Sequence, residues 1–268
     1  MLWERLTAPQ LSAARDRCGG VCIIPIGSLE KHSEHLPTGN DSLMAHAHAV
    51  EAARRESAVV LPTLYYTQVH QAKNAVGAIA IRTSLLMELL ENICDEVARN
   101  GFKKIIIFNE HGGNRYWIPA AITEMGGKDK DYLVALYRGE WDAGLSELRD
   151  SDVPEEHGGE LETSIALALH PDCVDMKAVP KKPGIQKKVP DINAYSSVSW
   201  ISRFPDQYSG DARPATSEKG RKVFEAVVND LAKCIRAVKE DNSLLTLAGQ
   251  LGKITQHPSK TKRNRKKS

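Results

Sequence analysis

Two stretches of the sequence place acidic residues and histidines directly after short apolar runs. They occupy residues 27–41 (GSLEKHSEHLPTGND) and 110–114 (EHGGN), and they contain Glu30, His32, Asp41 and His111. Glu30 and His32 lie on the same side of an extended backbone, because side chains alternate with a period of two. The turn at residues 37–39 can fold Asp41 back towards them. A mixed set of carboxylates and imidazoles favours Zn, Mn or Fe over a structural zinc site built on thiolates.

These donors suit the hydrolysis of an amide bond. Near neutral pH that reaction requires a hydroxide equivalent and a Lewis acid on the carbonyl oxygen, and two divalent ions about 3.5 to 4 Å apart provide both. Such a pair of ions needs a bridging carboxylate, for which we predict Asp41. Glu30 and His111 are predicted to complete one metal site. His32 and the later acid Glu162 are predicted to complete the other.

A third stretch, HGGELET at residues 157–163, supplies that later acid and another histidine. Glu162 is favoured over Glu160 as the ligand because it projects from the first turn of a predicted helix. The glycines that follow His157 leave room for its imidazole to reach inward, where it could shuttle a proton in a reaction that uses a metal-bound hydroxide. We therefore predict His157 and Glu162 as the catalytic residues.

Other polar residues near these stretches are given simpler roles. The glycine pair at residues 112–113 permits close approach of an ion or a substrate. Asn114 is predicted to cap the helix that follows it rather than to contact substrate. His46 and His48 are two positions apart on a predicted helix, and we interpret them as helix-surface histidines.

The composition predicts an ordinary globular protein. A chain of 268 residues is long enough to bury a large core, and a net charge of +2 indicates no particular class of partner. Five cysteines without metal-type spacing, and an N-terminus without a signal-peptide pattern, predict a reducing, cytoplasmic setting. No apolar run approaches the roughly 20 residues that span a bilayer, so we expect no membrane partner.

Apolar runs alternate with helical patterns along the chain. Strands are predicted at residues 21–26, 58–62, 104–108 and 132–137. Helices are predicted at residues 44–55, 83–100, 118–125, 160–169 and 218–239. This alternation predicts an α/β fold, a single-domain three-layer α/β/α sandwich with a mostly parallel sheet.

Two segments stand outside this alternation. Residues 177–211 contain four prolines, several serines and scattered aromatic residues, and they are open to interpretation as a lid, an oligomer contact or a surface excursion. Residues 251–268 are assigned to a basic, disordered tail, so the domain is predicted to cover residues 1–250.

At this level of detail the sequence resembles the creatininase family of metal-dependent amidohydrolases. The segment from Gly27 to Asp41 is similar to the family's GSxEqHGpHLPxxtD, NEHGGN to its NGHGGN, and residues 156–176 to its HAGxxETSxxLxxxPxxVxM. The resemblance implies a three-layer sandwich, usually assembled as a homohexamer, with two divalent ions, Zn or Mn and in some members Fe. It assigns the metal contacts to Glu30, His32, Asp41, His111 and Glu162, and proton transfer to His157.

The departures from the family pattern concern the substrate. Relatives that open creatinine have an acid at the Gly113 position, and they cover the ring with aromatic residues where this chain has Val153 and Arg138. Trp141 or Trp200 could replace those aromatics. Glu110, Ser33 and Glu34 replace glycine, glycine and proline, and the two acids are expected to add negative charge near the mouth of the site.

The leading hypothesis is a hydrolase that cleaves a cyclic or linear amide C–N bond of a small polar, non-peptide molecule. Within the family, a deformylase or a peptide-maturation hydrolase is the alternative, and an inward-pointing Arg138 would favour an anionic substrate. A protein that only retains metal, or one that binds nucleic acid through the basic residues 260–267, is a different class of function. Nucleic acid is not the expected partner, because no aromatic stacking residues accompany that tail.

Overall fold

Four parallel strands form the centre of the molecule. The computed structural model describes residues 1–139, 145–190 and 192–256. The strands are β1 (Val21–Ile26), β2 (Val59–Val60), β3 (Lys104–Asn109) and β4 (Leu133–Leu136), and their order in the sheet is β2-β1-β3-β4. All three pairings are parallel. The predicted α/β fold with a parallel sheet is confirmed.

Helices cover both faces of the sheet. In chain order they are α1 (Ala8–Arg17), α2 (Asn40–Arg55), α3 (Thr83–Arg99), α4 (Trp117–Gly126), α5 (Glu160–Leu169), α6 (Ser217–Glu240) and α7 (Ser243–Gln256). Helices α1, α3 and α4 contribute to the core on one face, and α2, α5 and α6 to the core on the other. The sheet therefore lies between two helical layers, as a three-layer sandwich requires.

The buried strand β1 supplies side chains to both cores because its residues alternate. Cys22, Ile24 and Ile26 pack with the first group of helices, whereas Val21 and Ile23 pack with the second. Successive side chains of strand β3 likewise point alternately into the two cores. Both strands are covered on both faces, so apolar residues are needed at nearly every position.

The sheet register sets the place of the candidate site. Ile26 at the end of β1 pairs with Asn109 at the end of β3. The polar residues that follow each strand therefore leave the sheet side by side at its carboxyl edge, where ligands bind in open parallel sheets.

Several elements differ from the sequence-based prediction. Helix α2 begins at Asn40, four residues before the predicted start, which places Asp41 in its first turn. Helices α1 and α7 were not predicted. Helix α3 begins at Thr83, as predicted, and Arg82 occupies its N-cap position without a side-chain hydrogen bond.

The carboxyl-terminal part of the chain is more ordered than predicted. Helix α7 continues to Gln256, six residues past the boundary that the sequence placed at residue 250. It contacts α4 and β4, so residues up to 256 pack on the domain. The rest of the predicted tail, residues 257–268, lies outside the described residues.

Residues 177–211 form a long irregular segment that leaves the domain and folds back towards the candidate site. Among their described residues there is no α-helix or β-strand. Gly184 and Gly210 instead exchange two backbone hydrogen bonds, of 2.7 and 2.9 Å, which fold the segment back on itself. The same segment also pairs with the loop before helix α5. Ser209 and His157 exchange backbone hydrogen bonds of 3.0 and 2.8 Å.

Two further properties concern the cysteine thiols and the length of the helices. All five cysteines are free thiols, and Cys173 is exposed rather than buried. Within the described parts of the chain, no helix combines the length and the apolarity that crossing a bilayer would demand.

The contact between β1 and α2 allows a prediction about stability. A Cβ atom at Gly27 would lie 2.4 Å from both the Cα and the backbone nitrogen of Ser42. We expect Gly27→Ala to lower the free energy of unfolding by about 1–3 kcal/mol, because this overlap involves backbone that cannot turn aside. Gly112→Ala is the matched control, since a Cβ there meets nothing within 4 Å. Equal urea midpoints for the two variants would contradict the prediction.

Candidate metal centre

The predicted acidic and imidazole side chains come together at the carboxyl edge of the sheet. Among the residues that the structure describes, three groups, each with ligand atoms within 4.8 Å of one another, have the geometry to hold a metal ion. They are Glu30 with Asp41 and His111, His32 with Asp41 and Glu162, and Glu30 with His32 and His157. The first two are the sets predicted from the sequence. Asp41 belongs to both.

Asp41 faces a different histidine with each of its oxygens. Its Oδ1 lies 2.7 Å from Nε2 of His32, and its Oδ2 lies 3.1 Å from Nδ1 of His111. Ser28 donates a hydrogen bond of 2.8 Å to Oδ2 and so fixes the carboxylate plane. This is the arrangement expected of a carboxylate that bridges two cations.

The outer ligands complete each group. Glu30 Oε1 lies 2.7 Å from Nδ1 of His111, on one side of the bridge. Glu162 Oε1 lies 3.1 Å from Nε2 of His32, on the other. Glu162 is held in place by Asn40, which donates to its Oε1 at 2.9 Å, and by the Gly158 N–H, which donates to its Oε2 at 2.5 Å. Gly158 adopts a left-handed backbone with φ +64°, which glycine permits.

Each histidine is oriented by a backbone carbonyl on the side away from the carboxylates. His32 Nδ1 lies 3.2 Å from the Glu30 carbonyl, and His111 Nε2 lies 2.7 Å from the Gln68 carbonyl. A carbonyl only accepts, so these nitrogens carry the proton in the neutral ring. The other nitrogen then turns a lone pair towards carboxylate oxygens. Lone pairs and anions at this separation repel unless a cation lies between them, so the donor set fits a bound metal.

The charges of the metal-free site follow from this crowding. Burial opposes ionisation of Glu30, but His111 and His157 outweigh it and hold the pKa of Glu30 at about 2. Burial likewise opposes the charged form of His111, and Glu30 and Asp41 overcome it and raise the pKa of His111 to about 10. The pKa of His32 is raised well above its ordinary value by Asp41 and Glu162 against the same effect of burial. Protons therefore occupy the imidazoles when no metal does.

This proton occupancy predicts that metal binding releases protons. At about pH 6.5, His32 and His111 are protonated and their carboxylate partners are ionised, so binding of two divalent ions displaces about two protons. The apparent metal affinity rises with pH through the pKa of His111, at about 10, because that imidazole must lose its proton to bind an ion. Calorimetric titration with Zn²⁺ in two buffers of different ionisation enthalpy measures the number released. Identical binding enthalpies in both buffers would contradict this expectation.

His157 lies beside the ligand set. Its ring stacks on that of His32, with centroids 4.1 Å apart. Its Nδ1 lies 2.9 Å from the Gln207 carbonyl, and its Nε2 lies 3.3 Å from Glu30 Oε1. The available nitrogen thus points towards the candidate metal centre, which is the position that a proton shuttle needs.

Glu160 and Asn114 lie near the candidate ligands, and the structure gives both of them other partners. Glu160 does not join the site, because its carboxylate accepts from the Asp150 and Ser151 N–H groups and from Lys219, which agrees with the preference for Glu162. The predicted cap role of Asn114 is wrong. Its side chain instead donates to Asn109 Oδ1 at 2.8 Å and accepts from the Trp117 indole at 2.8 Å, while Tyr116 holds the N-cap position of α4.

The interpretation of His48 as a surface residue is also wrong. His48 is fully buried on α2, and its Nδ1 lies 3.1 Å from Oε1 of Glu110, whose side chain is 1% exposed. Glu110 therefore adds no charge at the mouth of the site, and burial raises its pKa. His46, in contrast, is partly exposed and lies near the Thr63 hydroxyl. Glu34 is exposed and pairs with Lys31.

The structure locates several positions that the family resemblance connects with creatinine recognition. Arg138 is exposed, and Trp141 lies outside the described residues. Trp200 packs edge-on against His157, with centroids 5.8 Å apart. A Cβ at Gly113 would lie 2.4 Å from His111 Nε2, 2.6 Å from Gln71 Nε2 and 2.9 Å from Gln68 Oε1, so glutamine side chains fill the space beside this glycine.

Sequence reasoning missed the residues that support the ligands. Ser28, Asn40 and the Gln68 carbonyl each hold a ligand, yet none belongs to a pattern of acids and histidines. His35 is a further buried histidine, whose Nε2 lies 2.9 Å from the Thr163 hydroxyl. Burial lowers the pKa of His35 to about 4, so it is neutral near pH 7. Ser28, Asn40 and His35 lie close in the sequence to a ligand, which was the only available signal, and Gln68, 43 residues from His111, had none.

The parallel α/β sheet and the paired acid and histidine clusters at its carboxyl edge define a metal-dependent hydrolase of the α/β class. Comparison with known proteins makes the assignment specific. The profile of the family described as creatininase, creatinine amidohydrolase, matches residues 4–235. The chain belongs to the creatininase family of metal-dependent amidohydrolases.

Individual relatives show how far the similarity extends. Creatinine amidohydrolase of Pseudomonas putida is 30% identical over 240 residues, which cover 81% of this chain and 88% of that protein. Mycofactocin precursor peptide peptidase of Mycolicibacterium smegmatis is 30% identical over 233 residues, covering 84% and 88%. A solved structure described as creatininase Mn superposes with a TM-score of 0.75 at 25% identity, covering 90% of this chain and 99% of that one.

Proposed function

We propose that this protein hydrolyses a cyclic or linear amide C–N bond of a small, polar, non-peptide molecule, using two divalent ions. Glu30, Asp41 and His111 would hold one ion, and His32, Asp41 and Glu162 the other. The observation that carries the proposal is the position of Asp41, whose two oxygens face His32 and His111 separately. Zn and Mn both accept this mixed set of nitrogen and oxygen donors, with Fe a further option.

The bound ions would supply Lewis acidity and an activated water at neutral pH. The residues of the chain have complementary tasks. Ser28 and Asn40 orient the ligand carboxylates, and the backbone carbonyls behind His32 and His111 set their tautomers. His157, with Nδ1 on a carbonyl and Nε2 facing Glu30, would accept a proton at Nε2 from the attacking water and then pass it to the leaving nitrogen. Glu162 would contribute as both ligand and catalytic residue.

A substrate other than creatinine is favoured by residues of this chain. Val153 and Arg138 stand where the resemblance places aromatic residues that cover the creatinine ring, and Gly113 stands where it places an acid. The amide side chains of Gln68 and Gln71 lie beside that glycine. Neutral amides in place of an acid suit a substrate rich in hydrogen-bonding groups and without a strong positive charge.

A peptide substrate is the second candidate. The mycofactocin precursor peptide peptidase is as similar in identity to this chain as the creatinine amidohydrolase is. The chemistry of an amide C–N bond is the same in both, so the metal centre does not distinguish them. Cleavage of short synthetic peptides, with no turnover of small cyclic amides or formamides, would establish this candidate instead.

We propose further that the protein forms a homo-oligomer, with a hexamer expected from the family resemblance. Support comes from large apolar side chains exposed on neighbouring parts of the chain. They are Tyr66, Val76, Ile79, Leu85, Leu89 and Tyr116. Helices α3 and α4, which carry or adjoin several of them, contact each other. Light scattering of the purified protein measures the number of subunits.

We propose a cytoplasmic location on the basis of cysteine chemistry. All five thiols are free, which suits a reducing compartment. Fractionation of cells that express the full chain, with detection by antibody, would test this location.

One combined experiment tests the proposed function. Elemental analysis of the purified protein is expected to give about two equivalents of Zn or Mn per chain. An activity screen against creatinine, formamides, small cyclic amides and short peptides is expected to yield a turnover that chelation abolishes and Zn²⁺ or Mn²⁺ restores. A protein with no bound transition metal, or with turnover indifferent to chelation, would refute the proposal.

A further inference from the structure

Gln207 connects the candidate site with the excursion at residues 177–211. It is fully buried, as are Tyr208 and Ser209 after it, whereas Asp206 before it is exposed. Its backbone adopts a left-handed conformation with φ +54°, which an L-residue with a side chain adopts only when its surroundings enforce it. Ser33, in the loop between the ligands, has a similar φ of +56°. The described chain contains one other non-glycine residue of this kind, Asn193.

The two strained residues beside the site meet at one carbonyl. The Ser33 N–H donates to the Gln207 carbonyl at 2.9 Å, and His157 Nδ1 donates to the same oxygen at 2.9 Å. A carbonyl has two lone pairs, so both donors are satisfied together. The left-handed backbone of Gln207 thus directs one oxygen at the loop that carries His32 and at the imidazole that stacks on it.

The side chain of Gln207 holds that backbone in place. Its Oε1 accepts from the Trp200 indole N–H at 2.8 Å. Its Nε2 donates to Asn74 Oδ1 at 3.1 Å and lies 3.4 Å from the Gln71 carbonyl. An amide is required, because one end must accept and the other must donate. A carboxylate of the same shape would turn an acceptor towards two other acceptors.

We propose that Gln207 is a positioning residue for His157. It fixes the tautomer with the proton on Nδ1 and directs Nε2 into the metal centre, and its own conformation is maintained by Trp200 and Asn74. The inference depends on the proposed role of His157 for its effect on turnover. Its effect on the imidazole itself does not depend on that role, or on the identity of the substrate.

The test measures the tautomer of His157 directly. Nitrogen NMR of the full-length protein, labelled at histidine and assigned by comparison with His157→Ala, distinguishes a proton on Nδ1 from one on Nε2. We expect Gln207→Glu and Gln207→Ala to lower the ratio of the Nδ1-protonated to the Nε2-protonated form of His157 by about 3- to 10-fold. This change corresponds to the free energy of about one hydrogen bond. Asn193→Ala is the matched control, because it also removes an amide at positive φ, at an exposed position.

Folding and turnover complete the experiment. Circular dichroism and thermal melting identify folded variants, and the isosteric Gln207→Glu carries the test if Gln207→Ala does not fold. On the amide that is turned over in the screen above, kcat is expected to fall by about 10²-fold with little change in KM. A wild-type tautomer ratio in a folded Gln207→Glu protein would overturn the inference. Full activity of His157→Ala would instead refute the proton-transfer role, and the tautomer ratio would still decide the role of Gln207.

Discussion

Asp41→Asn is expected to leave a folded protein that neither retains two metal ions nor turns over substrate. The substitution removes the negative charge that both histidines face, at 2.7 Å from His32 and 3.1 Å from His111, and places an amide nitrogen where an oxygen ligand is needed. We expect the metal content to fall below one equivalent per chain and turnover to decrease by about 10⁴-fold or more. The loss is large because the ligands act together, so that removing one of them disables the whole centre. Elemental analysis and steady-state kinetics measure both quantities.

The control for Asp41→Asn makes the same chemical change at a distance. Asp172→Asn alters an exposed carboxylate that follows α5, and it is expected to leave metal content and activity as in the wild type. Thermal melting in the presence of a chelator separates loss of metal from loss of fold. Normal activity of Asp41→Asn would defeat the two-metal proposal.

His157→Ala is expected to retain its metal and to lose its rate. The imidazole lies against His32 and Glu30, but neither predicted ligand set with Asp41 requires it. If His157 transfers the proton, kcat should fall by about 10²- to 10⁴-fold, the usual contribution of general acid–base catalysis. Metal content should remain at the wild-type value.

His70→Ala serves as the reference for His157→Ala, because His70 is an exposed histidine outside the ligand groups. It should match the wild type in metal content and in kcat. A loss of metal in His157→Ala would indicate that the residue acts as a ligand, through the third group with Glu30 and His32. An unchanged rate would exclude it from proton transfer.

The candidate ligands could be predicted because they are close in the sequence to clear strands. Runs such as VCIIPI and KIIIF have to be buried on both faces, so the polar residues after them must emerge at one edge of a parallel sheet. That argument requires only the alternation of elements and the register of two neighbouring strands. It also located Glu162, because helix α5 begins at Glu160 as predicted.

The support for those ligands could not be predicted in the same way. Gln207 is distant in the sequence from Ser33 and His157, yet its carbonyl oxygen accepts a hydrogen bond from each of them. His48 reads as a surface residue in an alanine-rich helix, but α6 and Glu110 enclose it, as its ring contact with Phe224 shows. Pairings between distant segments carry no local periodicity, so neither case has a signal in the residues nearby.

The sequence by itself determined the strands, the main helices and the types of donor that gather at the sheet edge, because each depends on hydrophobic periodicity within a few residues. Only the tertiary structure decided which nitrogen of each histidine faces the carboxylates, that each oxygen of Asp41 faces its own histidine, and that the excursion returns over His157. Those properties depend on backbone carbonyls and side chains contributed by remote segments, whose positions are fixed by packing of the whole chain.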